Sequence, residues 1–170
     1  MKITDPKLED RTEQPYMGIR TQVPMKEMGA GLIPRLHGEV FAWLKKQGVA
    51  PAGAPFIRFH VINMESKMDI EMGVPVASAL SGDGRVTPGV LPAGRYATLV
   101  YTGVRNGIKA NKALIDWATE KGIAWDRWDT DKGDAFRSRI ESYLTDPADE
   151  PDQAKWETEV AIRLADDQAR

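Results

Sequence analysis

Apolar residues along this chain follow two periods. Ile33, Leu36, Val40 and Leu44 recur at three- and four-residue steps, which predicts a helix with one apolar face. A Gly-rich turn, "GAG" at 29–31, precedes it, and Gly48 ends it where a left-handed cap would sit. Residues 69–76, "DIEMGVPV", alternate instead. Ile70, Met72, Val74 and Val76 point one way and Asp69, Glu71, Gly73 and Pro75 the other, the two-residue period of a strand. "QPYMGIRTQV" (14–23) and "PFIRFHVIN" (55–63) read as further strands.

The same order then repeats. "GRYATLVYTG" (94–103) is a predicted strand, and residues 106–121 a helix with Ala110, Ala113, Leu114, Trp117 and Ala118 on one face. Gly122 ends it. "RIESYLT" (139–145) and "ETEVAIRL" (157–164) are strands, the second alternating as 69–76 does. The helix endings "FAWLKKQGVA" (41–50) and "IDWATEKGIA" (115–124) share a Trp, four mostly polar residues, Gly, a β-branched residue and Ala. Trp43 and Trp117 are expected in the core. Two strand–helix–strand–strand units follow, an α+β fold of antiparallel sheets with a pseudo-twofold arrangement and a groove between halves. One domain spans 13–164, with half-repeats at 13–80 and 94–164. The turn-rich segment 81–93 forms the boundary. The polar stretch 1–12 is expected to be a loose arm and 165–170 a tail. The second half carries about fourteen extra residues, mainly in "WDRWDTDKGD" (125–134) and "DPADEPDQAK" (146–155).

Composition narrows the function classes. The chain has 170 residues, 42% hydrophobic and 28% charged, with a net charge of −2. No basic excess marks a nucleic-acid footprint. Without Cys, disulfides, thiolate zinc sites and Cys nucleophiles are excluded. The start, MKITDPKLEDR, lacks the apolar segment of a signal peptide, and no apolar run reaches the ~18 residues that span a membrane. A cytoplasmic protein without membrane attachment is expected. His37 and His60 are the only histidines, and no His–carboxylate spacing suggests a metal site. No serine-hydrolase setting surrounds Ser78, Ser81 or Ser142, and "GDGRVTPG" (82–89) lacks the Gly-Lys-Ser/Thr of a phosphate loop.

"RIESYL" is the most informative stretch. If the Ile140/Leu144 face packs on helices, Arg139, Glu141 and Tyr143 line the opposite face, bordering the groove. A carboxylate desolvated among aromatics can attract a cation or, with a raised pKa, serve as general acid or base. A surface Glu paired with Arg139 or Arg137 is the alternative. Trp125, Trp128, Phe136 and Tyr143 fall within twenty residues, and aromatic walls suit flat or cationic ligands.

Taken together, "FHVINMESKMDIEMGVPV", "LPAGRYATLVYTG", the W-x-x-x-x-G helix ending, "ESYLTDP" and "WETEVAIRL" resemble the GyrI-like small-molecule-binding domain, the effector-binding domain of multidrug-responsive bacterial transcription activators. The resemblance covers about 13–164. It implies ligands bound between the two units, with Glu141 and Tyr143 at the pocket carboxylate and aromatic, and Tyr101 at the end of the corresponding strand. Expected ligand contacts are Glu141, Tyr143, Tyr101, Phe59, Trp128 and Tyr16, with no metal and no cofactor. No helix-turn-helix is legible, so a stand-alone binder of small apolar, aromatic or cationic molecules is expected, without direct nucleic-acid binding. The resemblance also implies two alternatives. One is a cofactor-free hydrolase of cyclopropane-bearing toxins using Glu141 and Tyr143. The other is a protein-inhibitor module.

Overall fold

The computed structural model describes residues 2–166. Eleven strands and two helices alternate as β1 (Lys2–Ile3), β2 (Lys7–Arg11), β3 (Gln14–Pro24), α1 (Ile33–Lys46), β4 (Phe56–Ile62), β5 (Lys67–Pro75), β6 (Thr87–Leu91), β7 (Gly94–Thr102), α2 (Gly107–Glu120), β8 (Arg127–Thr130), β9 (Gly133–Phe136), β10 (Arg139–Tyr143) and β11 (Glu157–Arg163). All strands join one antiparallel sheet, in the order β1-β7-β11-β10-β4-β5-β3-β6 along its main path. The fold is α+β, with both helices on one sheet face.

The repeat is visible in this order. In each half the first strand (β3 or β7) pairs with the last (β5 or β11), which pairs with the inner strand (β4 or β10). The inner strands meet at the centre, where Glu141 lies opposite Ile57. A pseudo-twofold axis therefore passes between β4 and β10. The helix endings repeat in detail. Gly48 and Gly122 adopt φ of 69° and 68°. Val49 N–H donates to Leu44 O at 3.0 Å, and Ile123 N–H to Ala118 O at 2.9 Å. These are the six-to-one bonds of a Schellman cap, in which a left-handed residue satisfies the last carbonyls. Trp43 and Trp117 are half-buried at the core's edge, with α1's Leu36, Val40 and Leu44 and α2's Ala110, Leu114 and Ala118 beneath.

Several expectations change. Residues 2–11 are not a loose arm: β1 and β2 pair with β7, closing its outer edge. Residues 87–91, inside the predicted boundary, form strand β6 against β3. The strand contains Pro88, which cannot donate to a ladder, and it sits where that matters least, at the sheet's end. The "GAG" segment is the wide-turned helical lead into α1, Met28–Leu32, rather than a turn. The insertion at 125–134 is largely the hairpin β8–β9, whose β9 pairs with β4. Of the predicted tail, 167–170 lie outside the described residues.

Candidate functional site

The helices leave a strip of sheet uncovered. α1 packs chiefly on β3 and β5, and α2 chiefly on β7. β10, between β4 and β11, lies between the strands that each helix mainly covers. Residues opposite one another across a sheet share a face, so Glu141 joins Ile57 and Val160, and Tyr143 joins Thr158 and Tyr101. Ile57, Val160 and Tyr101 belong to the two cores beneath the helices. The helix-side face of β10 is therefore Arg139, Glu141 and Tyr143. This reverses the premise that Ile140 and Leu144 pack on the helices. Ile140 instead faces the outer side with Tyr16, Phe56, Leu91 and Tyr96, and Leu144 is exposed. Arg139, Glu141, Tyr143, Phe59 and Asn111 are each only half-buried, as expected for the floor and walls of a cleft between α1 and α2.

Glu141 accepts from the Tyr101 hydroxyl at 3.0 Å on Oε1 and from Asn111 Nδ2 at 3.3 Å on Oε2. Gly107, at the start of α2, makes room for this. A Cβ there would stand 3.1 Å from the Tyr101 hydroxyl. Both partners of Glu141 are neutral, and it forms no ion pair among the described residues. Arg139 does not close on it. Its guanidinium lies over the Phe136 ring, 4.8 Å from the centroid, and donates to Asn111 Oδ1 at 3.0 Å. Desolvation raises the pKa of Glu141, outweighing the Tyr101 and Asn111 bonds and the Arg139 charge that oppose the rise. Burial, then the Glu141 charge, raise the pKa of both Tyr101 and Tyr143, so both stay protonated. Arg137, the other predicted partner of Glu141, faces Asp126 instead.

On the α1 side, His37 is buried and donates from Nε2 to Phe56 O at 2.8 Å. Its ring meets Tyr143 edge-on at 5.8 Å between centroids. Burial lowers its pKa, keeping it neutral. The shared helix endings match His37 to Asn111 by the same offset that matches Trp43 to Trp117. The strands match too. With Met72 set on Val160, the registers set Ile57 on Glu141 and Phe59 on Tyr143. The two halves thus present equivalent positions to the cleft and fill them differently: Ile, Phe and His from the first, Glu, Tyr and Asn from the second. The polar residue on the inner face of each amphipathic helix was the sequence signal for His37 and Asn111.

Of the expected ligand contacts, the structure brings together Glu141, Tyr143, Tyr101 and Phe59 on one sheet face. Tyr16 and Trp128 are elsewhere. Trp128 is 50% exposed on β8, opposite Ala135 and on the side away from Phe136. Tyr16 faces the outer side of the sheet, because its neighbour Met17 lies in the core under α1. There it enters a network absent from the sequence reading. Arg58 Nη1 donates to the Tyr16 hydroxyl at 2.9 Å, and that hydroxyl donates to Glu71 Oε1 at 2.6 Å. His60 Nε2 donates to the same oxygen at 2.8 Å. Glu71, on the polar side of the 69–76 alternation, is nonetheless 5% exposed. Burial pulls its pKa up, but the bonds from His60 and Tyr16 and the nearby charges hold it below the ordinary carboxylate value.

Two hollows lie away from the cleft. One of about 330 Å³ on the outer face is lined by Phe56, Tyr96, Ile140 and Leu144 among others, and an open one of about 880 Å³ by Thr102–Asn106 and Gln153–Lys155. Neither is lined by Glu141, Tyr143 or Tyr101. The carboxylate, the aromatic rings and the buried hydroxyl converge above β10, which makes this the candidate site on chemistry rather than on hollow size. Among the described residues, no three His, Asp or Glu gather to hold a metal ion, and no helix is long and apolar enough to cross a membrane.

Solved structures support the fold. The C-terminal domain of EcmrR superposes with TM-score 0.72 at 22% identity, over 95% of this chain and 97% of that one. EcmrR in a complex with DNA gives 0.72 at 23% identity, with 94% of this chain covering 57% of that one. SAV2435, bound to tetraphenylphosphonium, gives 0.64 at 13% identity over 95% and 94%. A hydrolase from Listeria innocua gives 0.62 at 13% identity over 94% and 91%. No curated protein sequence matches at a significant level. The sequence model of the GyrI-like small molecule binding domain matches residues 4–165, nearly the whole chain, and the protein therefore belongs to that family.

Proposed function

We propose that the cleft above β10 binds a small aromatic cation, with Glu141 supplying the charge and Tyr143, Tyr101 and Phe59 the surrounding rings. One observation carries this reading: Glu141 is half-buried and held only by neutral donors, and no protein cation bonds to it directly among the described residues. A carboxylate so placed is costly to ionise, and a cationic ligand relieves that cost. Family membership supports a small-molecule ligand. The phosphonium held by SAV2435 is a cation of the same broad chemistry. Titration with rhodamine 6G, followed by dye anisotropy, tests it. Glu141→Gln should weaken binding by ~1–3 kcal/mol through loss of a charge-assisted contact, and should weaken a neutral ligand of similar shape less. Equal losses for both ligands contradict the charge role.

A second reading, hydrolysis of a strained electrophile, draws on the raised pKa of Glu141. The carboxylate would take a proton from an attacking water while the Tyr143 hydroxyl donates to the group gaining negative charge. Single-turnover hydrolysis of a cyclopropane-bearing electrophile should then fall roughly a hundred- to ten-thousand-fold in Glu141→Gln while binding persists. No rate above buffer in the wild type leaves binding alone.

A further inference from the structure

The cleft floor carries two opposite charges that do not meet. Arg139 and Glu141 stand two residues apart on the same face of β10, so their Cα atoms are about 7 Å apart at ordinary strand rise. Long side chains at that spacing can reach one another. Here Asn111 intervenes. Its Nδ2 donates to Glu141 and to Gly107 O at 2.9 Å, one turn back on α2, while its Oδ1 accepts from Arg139. The amide orientation is forced, because a guanidinium only donates and a carboxylate only accepts. The Phe136 ring holds the guanidinium from another side. A guanidinium has five N–H donors, and Arg139 places one on protein among the described residues. Its Nε and Nη1 carry no partner among the described residues, and neither is a fully buried unpaired atom.

We infer that the cleft selects a dipolar ligand, an aromatic molecule carrying a cation for Glu141 and a carboxylate or comparable anion for Arg139, and that Asn111 keeps the two protein charges apart to receive it. The inference rests on the proposed cation-binding role of Glu141 and adds the anionic half of the ligand. A purely cationic ligand gains from Glu141 and is repelled by Arg139. A dipolar ligand gains from both, provided its charges lie within several ångströms of each other, and a planar guanidinium suits a carboxylate bidentately.

Rhodamine B and its ethyl ester test this, since they share one xanthylium cation and differ in a free against an esterified carboxylate. Wild-type protein should bind rhodamine B about 10-fold more tightly than the ester, the size of one charge-assisted hydrogen bond. Arg139→Gln should move the two dyes in opposite directions, weakening rhodamine B and tightening the ester. A merely misfolded variant would weaken both. Asn111→Ala should let Arg139 close on Glu141 and weaken both dyes, while its melting transition stays cooperative. Equal affinity of the two dyes in wild type, or parallel changes in Arg139→Gln, overturns the dipolar inference and leaves the cation-binding reading standing. Unchanged affinities in Asn111→Ala overturn the spacer role. Binding of neither dye by wild type removes the cation-binding reading and this inference together.

Discussion

Glu71 and Glu141 occupy opposite faces of one sheet and are buried to opposite ends. Glu71 is met by His60, by the Tyr16 hydroxyl and, through that hydroxyl, by Arg58. Its compensation is complete within the protein, and its pKa is held low. Glu141 meets only a phenol and an amide, and its pKa is raised. The lesson concerns how to read a buried carboxylate. Burial alone does not mark a site. What marks it is burial with no directly paired countercharge, because a ligand can then complete it. By this criterion Glu71 ties strands β3, β4 and β5 together, and Glu141 is the carboxylate proposed to meet a ligand.

Removing Glu71 should cost the most. Glu71→Ala leaves the Tyr16 hydroxyl and His60 without their common acceptor, and breaking such a buried pair costs about 3–5 kcal/mol. Urea unfolding should show it as a lower midpoint. Tyr16→Phe interrupts the same network at one hydroxyl and should cost ~1–3 kcal/mol by the same measurement. If Tyr16→Phe is neutral, the outer-face network contributes nothing and the contrast fails.

The two carboxylates should also give stability opposite slopes with pH. Both have an ordinary value of 4.5. Glu141 titrates above it in the folded protein, so the folded state holds the proton longer. Its contribution to stability is present below 4.5 and is lost as pH rises through its folded pKa. Glu141→Gln, which removes the charge and keeps the shape, should therefore melt at a higher temperature than wild type at pH 7. The gain should vanish below pH 4.5. Glu71 titrates below 4.5 when folded, so its contribution is present above that value and lost as acid protonates it. Melting curves of wild type and Glu141→Gln across pH decide the matter, and a variant that melts lower than wild type at pH 7 contradicts it. Trp128→Ala should do least. Half-exposed on the β8–β9 hairpin and turned away from Phe136, it should change stability and dye affinity by no more than about 0.5 kcal/mol.

The sequence was most informative where one period dominated. The alternation in 69–76 and 157–164 located β5 and β11, and the repeated helix ending carried the pseudo-symmetry, because a Schellman cap demands a left-handed Gly at a fixed distance from the last apolar turn. Strands β1, β2 and β6 were not legible. Lys7–Arg11 and Thr87–Leu91 lack a two-sided apolar pattern and are held mainly by backbone pairing to a neighbour. Glu141, Tyr143, Tyr101 and Phe59 could be selected from the strand pattern and the family resemblance, since same-face strand residues follow a simple rule. Which face met the helices could not, because Ile140 and Leu144 are as apolar as any core pair. The Asn111–Glu141 contact and the Tyr16–Glu71–His60 network depend on pairings 30, 55 and 11 residues apart that no local period encodes.

The contrast between the two faces is tested most directly by titrating rhodamine 6G into wild type, Glu141→Gln and Tyr16→Phe, at a temperature where all three are folded. Binding in the cleft predicts that Glu141→Gln loses about 10-fold or more in affinity while its stability at pH 7 rises, and that Tyr16→Phe loses stability while its affinity stays that of wild type. Loss of affinity in Tyr16→Phe with none in Glu141→Gln would place the ligand on the outer face and contradict the assignment of the cleft.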